Sequence, residues 1–124
     1  MLTMVDVDKL QVKSAHSPDE VRTPDKTRVE VVRFDTCAMA RFRFEPGWRW
    51  SDCIKPVAGT ETCQVSHVGY ALSGTIQVKL QDGTEMTIRG GDFYTIPPGH
   101  DGWVVGTQPF IGIEVMSAEH YARH

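Results

Sequence analysis

Short alternating segments closed by glycine and proline turns constrain this chain more than any other feature. Thr75 to Leu80 puts Ile76, Val78 and Leu80 on one face, Asp82-Gly83 supplies a two-residue turn, and Met86 and Ile88 return as a second strand. Just before it, CQVSHVGYALSGTIQV, from Cys63 to Val78, places His67 on an alternating strand that ends in the tight Ser73-Gly74 turn. Gly90-Gly91-Asp92 makes the next turn, and Phe93 to Ile96, Trp103 to Val105 and Phe110 to Val115 follow as short strands. Upstream, RVEVVRFD from Arg28 is rich in β-branched residues, and Ala38 to Phe44 alternates, with Ala40, Phe42 and Phe44 opposite Arg41 and Arg43. Strands this short and this closely spaced predict an all-β sandwich or barrel.

The chain has 124 residues, enough for one core. Residues 1–27 are polar, with turn signals at Ser17-Pro18 and Thr23-Pro24, and read as an N-terminal arm. Residues 28–124 read as the barrel domain, with a short helix expected over Ser117 to His124.

Composition removes several classes of partner. Net charge is -3 and the thirteen Lys and Arg residues are scattered, so no clustered basic face for nucleic acid is expected. No apolar run approaches the length that spans a bilayer. The start, MLTMVDVDKL, lacks the basic and apolar regions of a secretory signal, so a cytoplasmic location and a small-molecule partner are the expectations. Three cysteines without a C-x-x-C pair make a disulfide framework unexpected and leave burial or metal ligation.

Between Val29 and Val115 the residues resemble the cupins, small jelly-roll β-barrels whose members often hold a divalent metal inside. Gly91, Pro97 and Gly99 match the second cupin motif at the family's spacing. Counting back from Gly74 puts His67 at the first motif's glutamate position. Counting forward from Gly47 puts Cys53 at its first histidine position and Lys55 at its second. The loop from Pro56 to Ser66 is longer than the family pattern; with the extra residues placed earlier, Glu61 and Cys63 take the two histidine positions instead. His100 stands two residues before the second motif's histidine position, which Gly102 occupies, and an extended segment would still aim it inward. The chain is also similar to a subset of small bacterial cupins that carry a GWRWS segment, an H-x-G-Y-x-x-S-G turn and P-P-G-H-D.

What the resemblance implies is a divalent metal held by His67 and His100. With Cys53 as third ligand the site would keep an open position; with Cys63 added it would close into a tetrahedral zinc centre. Thiolate ligation favours zinc, with iron, nickel or manganese as alternatives. Trp50, Lys55, Tyr70 and Trp103 are the candidate lining of a ligand pocket, with Trp48 beside Trp50 on one apolar wall if that segment is extended. Cys37 reads as core, and His16, His120 and His124 in the terminal arms carry no expected role. Metal-dependent oxidation or isomerisation of a small organic molecule is one reading; a non-catalytic binding or sensing module with a structural zinc is the other. Homodimerisation is implied by resemblance, the N-terminal arm being the expected strand that reaches across.

Overall fold

A computed structural model describes residues 6–117. Among the described residues, nine strands are distributed over two antiparallel sheets. Along the chain they are β1 (Glu20–Arg22), β2 (Thr27–Arg33), β3 (Cys37–Phe44), β4 (His67–Ser73), β5 (Thr75–Leu80), β6 (Glu85–Arg89), β7 (Phe93–Ile96), β8 (His100–Val104) and β9 (Phe110–Ser117). The larger sheet has the order β1-β2-β3-β9-β4-β7 and the smaller β6-β5-β8. Non-sequential neighbours such as β3 and β9 are the mark of a jelly roll rather than a simple meander.

Alternation along each strand decides what faces inward. In β3, Ala38 and Ala40 are buried while Met39, Arg41 and Arg43 are exposed. In β9, Phe110, Gly112 and Glu114 are buried and Val115 is exposed. The predicted hairpin forms with Ile76 opposite Ile88 and Val78 opposite Met86; the first three are buried, whereas Met86 lies at an open edge and is exposed. The inner faces meet in a core that includes Trp48, Trp50, Cys53, Cys63, Ala71 and Phe110. Burial of apolar side chains of this kind contributes roughly 25 cal/mol per Å² removed from water, which makes the two-sheet sandwich the stable arrangement of so alternating a sequence.

Several segments differ from the sequence expectation. Part of the arm forms β1, which pairs with β2 of the same chain. The aromatic segment after Pro46-Gly47 leads into two short helices, α1 (Trp50–Cys53) and α2 (Lys55–Ala58), the second ending at Gly59 with φ 75°. The left-handed glycine closes α2 and turns the chain out of it, which an extended segment would not do. Cys37, expected in the core, is only half-buried at the start of β3. Of the expected C-terminal helix, Ser117 ends β9 and residues 118–124 lie outside the described residues. No helix among the described residues is long and apolar enough to cross a membrane.

Candidate metal centre

Three donors from three separate segments converge inside the barrel. Cys63 Sγ and one ring nitrogen each of His67 and His100 lie within 4.8 Å of one another. The backbone brings them there. Cys63 forms an isolated antiparallel bridge with His100, its amide donating to the His100 carbonyl at 2.9 Å while Gly99 donates back to the Cys63 carbonyl at 2.7 Å. His67 opens β4 opposite Ile96 of β7, so its side chain enters from the neighbouring strand. The His67 and His100 rings meet edge to face, with centroids 5.0 Å apart.

Hydrogen bonds fix which nitrogen each imidazole presents. His67 Nδ1 lies 2.5 Å from Glu114 Oε1, and its Nε2 lies 3.6 Å from Cys63 Sγ. His100 Nδ1 lies 2.6 Å from the Pro97 carbonyl oxygen, which can only accept, so this nitrogen carries a hydrogen and Nε2 is left for the cluster. A carboxylate or carbonyl behind the distal nitrogen is the usual support of a metal-ligating histidine, since it sets the tautomer and raises basicity. Cys63 and His100 are buried, with relative exposures of 1% and 6%.

Glu114 is the residue that sequence reasoning missed. It is buried, and its second oxygen accepts a 2.7 Å hydrogen bond from the Tyr94 hydroxyl. Space for this pair comes from Gly69: a Cβ there would stand 2.8 Å from both Glu114 Cγ and Tyr94 Oη. The available signal was a lone acidic residue in the otherwise apolar FIGIEV strand, on the face that also carries Phe110. Burial, then the Glu114 charge, push the Tyr94 hydroxyl well above its usual range, so it remains a donor.

Charges inside the cluster are coupled. Burial alone would raise the Cys63 thiol, but hydrogen bonds with His100 and His67 and the charge on His67 pull it down to about 6. Burial alone would depress His67, but the Glu114 carboxylate and its partnership with Cys63 push it up to about 10. In metal-free protein the pair is therefore thiolate and imidazolium between those values. The depressed cysteine contributes stability that is lost as pH falls through about 6, and the raised histidine contributes stability that is lost as pH rises through about 10. We expect the far-ultraviolet thiolate absorbance of metal-free protein to appear with a midpoint near 6. A midpoint in the ordinary cysteine range, or an unchanged signal in Cys63→Ser, would contradict the geometry.

The other candidates lie elsewhere. Cys53, expected as the third ligand, is buried in α1 with its Sγ 3.8 Å from Asp25 Oδ2, outside the cluster, whereas Cys63, expected as an added fourth, lies within it. The helical turn is the cause, because it carries Cys53 away from the strand on which the family's motif would set it. Glu61 is an exposed partner of Lys55, at 2.8 Å. A cavity of about 460 Å³ adjoins the cluster; Trp48 and Trp50 line it, and Lys55, Tyr70 and Trp103 do not. Tyr70 instead packs on the exposed Phe93 at 4.6 Å between ring centroids, and Trp103 lies under the Arg49 guanidinium at 4.3 Å. Gly102, at the position of the family's histidine, faces Trp48: a Cβ there would lie 3.9 Å from Trp48 Cζ3.

Neither a family model nor a curated protein matches this sequence. Solved structures do. An RmlC-like cupin from Shewanella frigidimarina superposes with a TM-score of 0.62 at 16% identity, covering 91% of this chain and 96% of its own. This chain has the cupin fold. The cupin barrel is similar as well to the polyketide cyclase RemF from Streptomyces resistomycificus, with a TM-score of 0.61 at 17% identity over 88% of this chain and 80% of that one. The oxalate decarboxylase of Lactobacillus farciminis aligns with a TM-score of 0.58 at 17% identity over 78% of this chain, which spans only 30% of the decarboxylase. Identities this low establish the fold of this chain and leave its chemistry to its own residues.

Proposed function

We propose that this cupin barrel binds one divalent metal through Cys63, His67 and His100 and uses it to act on a small organic molecule held in the adjoining cavity. The observation that carries the reading is the pair of oriented imidazoles. Each has its Nδ1 engaged, by Glu114 or by the Pro97 carbonyl, and each presents Nε2 beside a cysteine that the same surroundings favour as thiolate. One thiolate and two imidazoles fit zinc best among the common divalent ions. Three protein donors leave a tetrahedral ion one further position, and the cavity that Cys63, His67 and His100 line is where a ligand would meet it.

A divalent ion held there supplies Lewis acidity or a water acidified to near neutrality. The chain's own residues do the rest. Glu114 holds His67 in the ligating orientation, and Tyr94 occupies the other oxygen of Glu114, so that carboxylate is not free to turn into the cavity. The closed zinc module has less support, since Cys53 stands outside the cluster. A cytoplasmic location and pairing of two copies belong to the same proposal; β1 and β7, the edges of the larger sheet, are the strands available for pairing.

Metal analysis of freshly purified protein tests the reading. We expect about one equivalent of a divalent ion that a chelator removes and zinc restores. Content well below one equivalent that zinc does not raise would refute it.

A further inference from the structure

The composition of the cavity wall names the class of molecule it takes. A continuous run of rings leads away from the cluster: Phe42 meets His67 edge to face at 6.5 Å, Phe42 and Phe44 are 5.8 Å apart, and Phe44 stacks on Trp48 at 3.9 Å with planes within 9°. All of these rings line the cavity. Several polar groups on the same wall are already engaged, while the buried Trp50 Nε1, which has no hydrogen-bond partner, leaves a donor there for a ligand. Thr27 Oγ1 donates to the Asp25 carbonyl and accepts from Trp48 Nε1, and Thr60 Oγ1 donates to the Thr62 carbonyl.

The charged side chains lining the cavity outside the donor set are Arg22 and Glu114. Arg22 is bonded to Glu20, and both oxygens of Glu114 are taken. A polyhydroxylated or phosphorylated molecule would therefore lose more of its water shell than these few groups replace, at a cost in affinity for each unpaired group. A flat apolar one loses little and gains contact with ring faces and edges.

We infer that the cavity takes a small molecule with a planar apolar body and a single metal-ligating head group, the body lying along Phe42, Phe44 and Trp48. The inference rests on the metal reading above for the head group alone. The wall recognises the body with or without an ion.

Two probes that share a head group and differ in body decide it: benzohydroxamate and acetohydroxamate. In cobalt-loaded protein, read from the shift of the cobalt absorption bands, we expect benzohydroxamate to bind about tenfold to a hundredfold tighter, the range that burying a phenyl ring in place of a methyl group provides. Phe44→Leu, which keeps the site apolar, should reduce that ratio while leaving the cobalt bands of the unliganded protein unchanged. The same pair is titrated into metal-free protein by tryptophan fluorescence, where both bind more weakly and the preference for the ring persists. Equal affinity of the two probes in both forms overturns the inference. If cobalt does not bind at all, the metal reading fails by itself, and the metal-free titration still decides what the wall prefers.

Discussion

Cobalt-loaded Cys63→Ser should lose the intense near-ultraviolet absorption of a sulfur-to-cobalt bond, while Cys53→Ser keeps it. Cys63 Sγ stands within 4.8 Å of the donor nitrogens of His67 and His100, and Cys53 Sγ instead faces Asp25. A serine hydroxyl is a far weaker ligand than a thiolate for a borderline-soft ion, so affinity should fall by about a hundredfold or more in Cys63→Ser. In Cys53→Ser it should be unchanged. Retention of the band in Cys63→Ser, or its loss in Cys53→Ser, would assign the sulfur to the wrong helix or loop. Because both cysteines are buried, circular dichroism of each variant separates loss of metal from loss of fold.

Gly74→Ala should destabilise the barrel by about 3 kcal/mol or more, whereas Gly83→Ala should cost about 1 kcal/mol. Both glycines adopt left-handed backbone, with φ of 81° and 92°. Their surroundings differ. A Cβ on Gly74 would stand 2.3 Å from the Pro109 carbonyl oxygen and 2.7 Å from Phe110 Cα, while one on Gly83 meets nothing within 4 Å. Gly74 is the point where the chain leaves β4 of the larger sheet and enters β5 of the smaller, and backbone is the atom type that cannot move aside there. Thermal unfolding of the two variants measures the difference; equal shifts would mean that strain alone matters and that the corner has room to relax.

Much of the barrel was legible because a β-strand advertises itself locally. Ala38 to Phe44 alternates, Asp82-Gly83 closes a hairpin and Gly90-Gly91-Asp92 turns the chain, and each of these features needs only its neighbours in sequence. His67 and His100 were visible for the same reason, since each sits at a countable distance from a turn glycine. The choice between the two cysteines was not. Between Gly47 and His67 the chain leaves strand geometry for α1, α2 and a loop, and counting positions along it no longer reports direction in space. The sequence offers both Cys53 and Cys63 and puts Cys53 first; the bridge that ties Cys63 to His100 is what separates them. The pocket residues show the same divide: Trp50 lines the cavity, whereas Tyr70 follows the opposite parity of its strand, and Lys55 and Trp103 are occupied by Glu61 and Arg49.

By itself the sequence determined the two-sheet architecture, the turns and the pair of histidines, since periodicity and backbone preference are properties of adjacent residues. Tertiary structure alone decided which cysteine joins them, that Glu114 and Tyr94 stand behind His67, and that the aromatic wall begins at the donors. Those are contacts between strands distant in the chain, such as Gly69 of β4 beside Glu114 of β9, and they depend on register and strand order that no local pattern encodes.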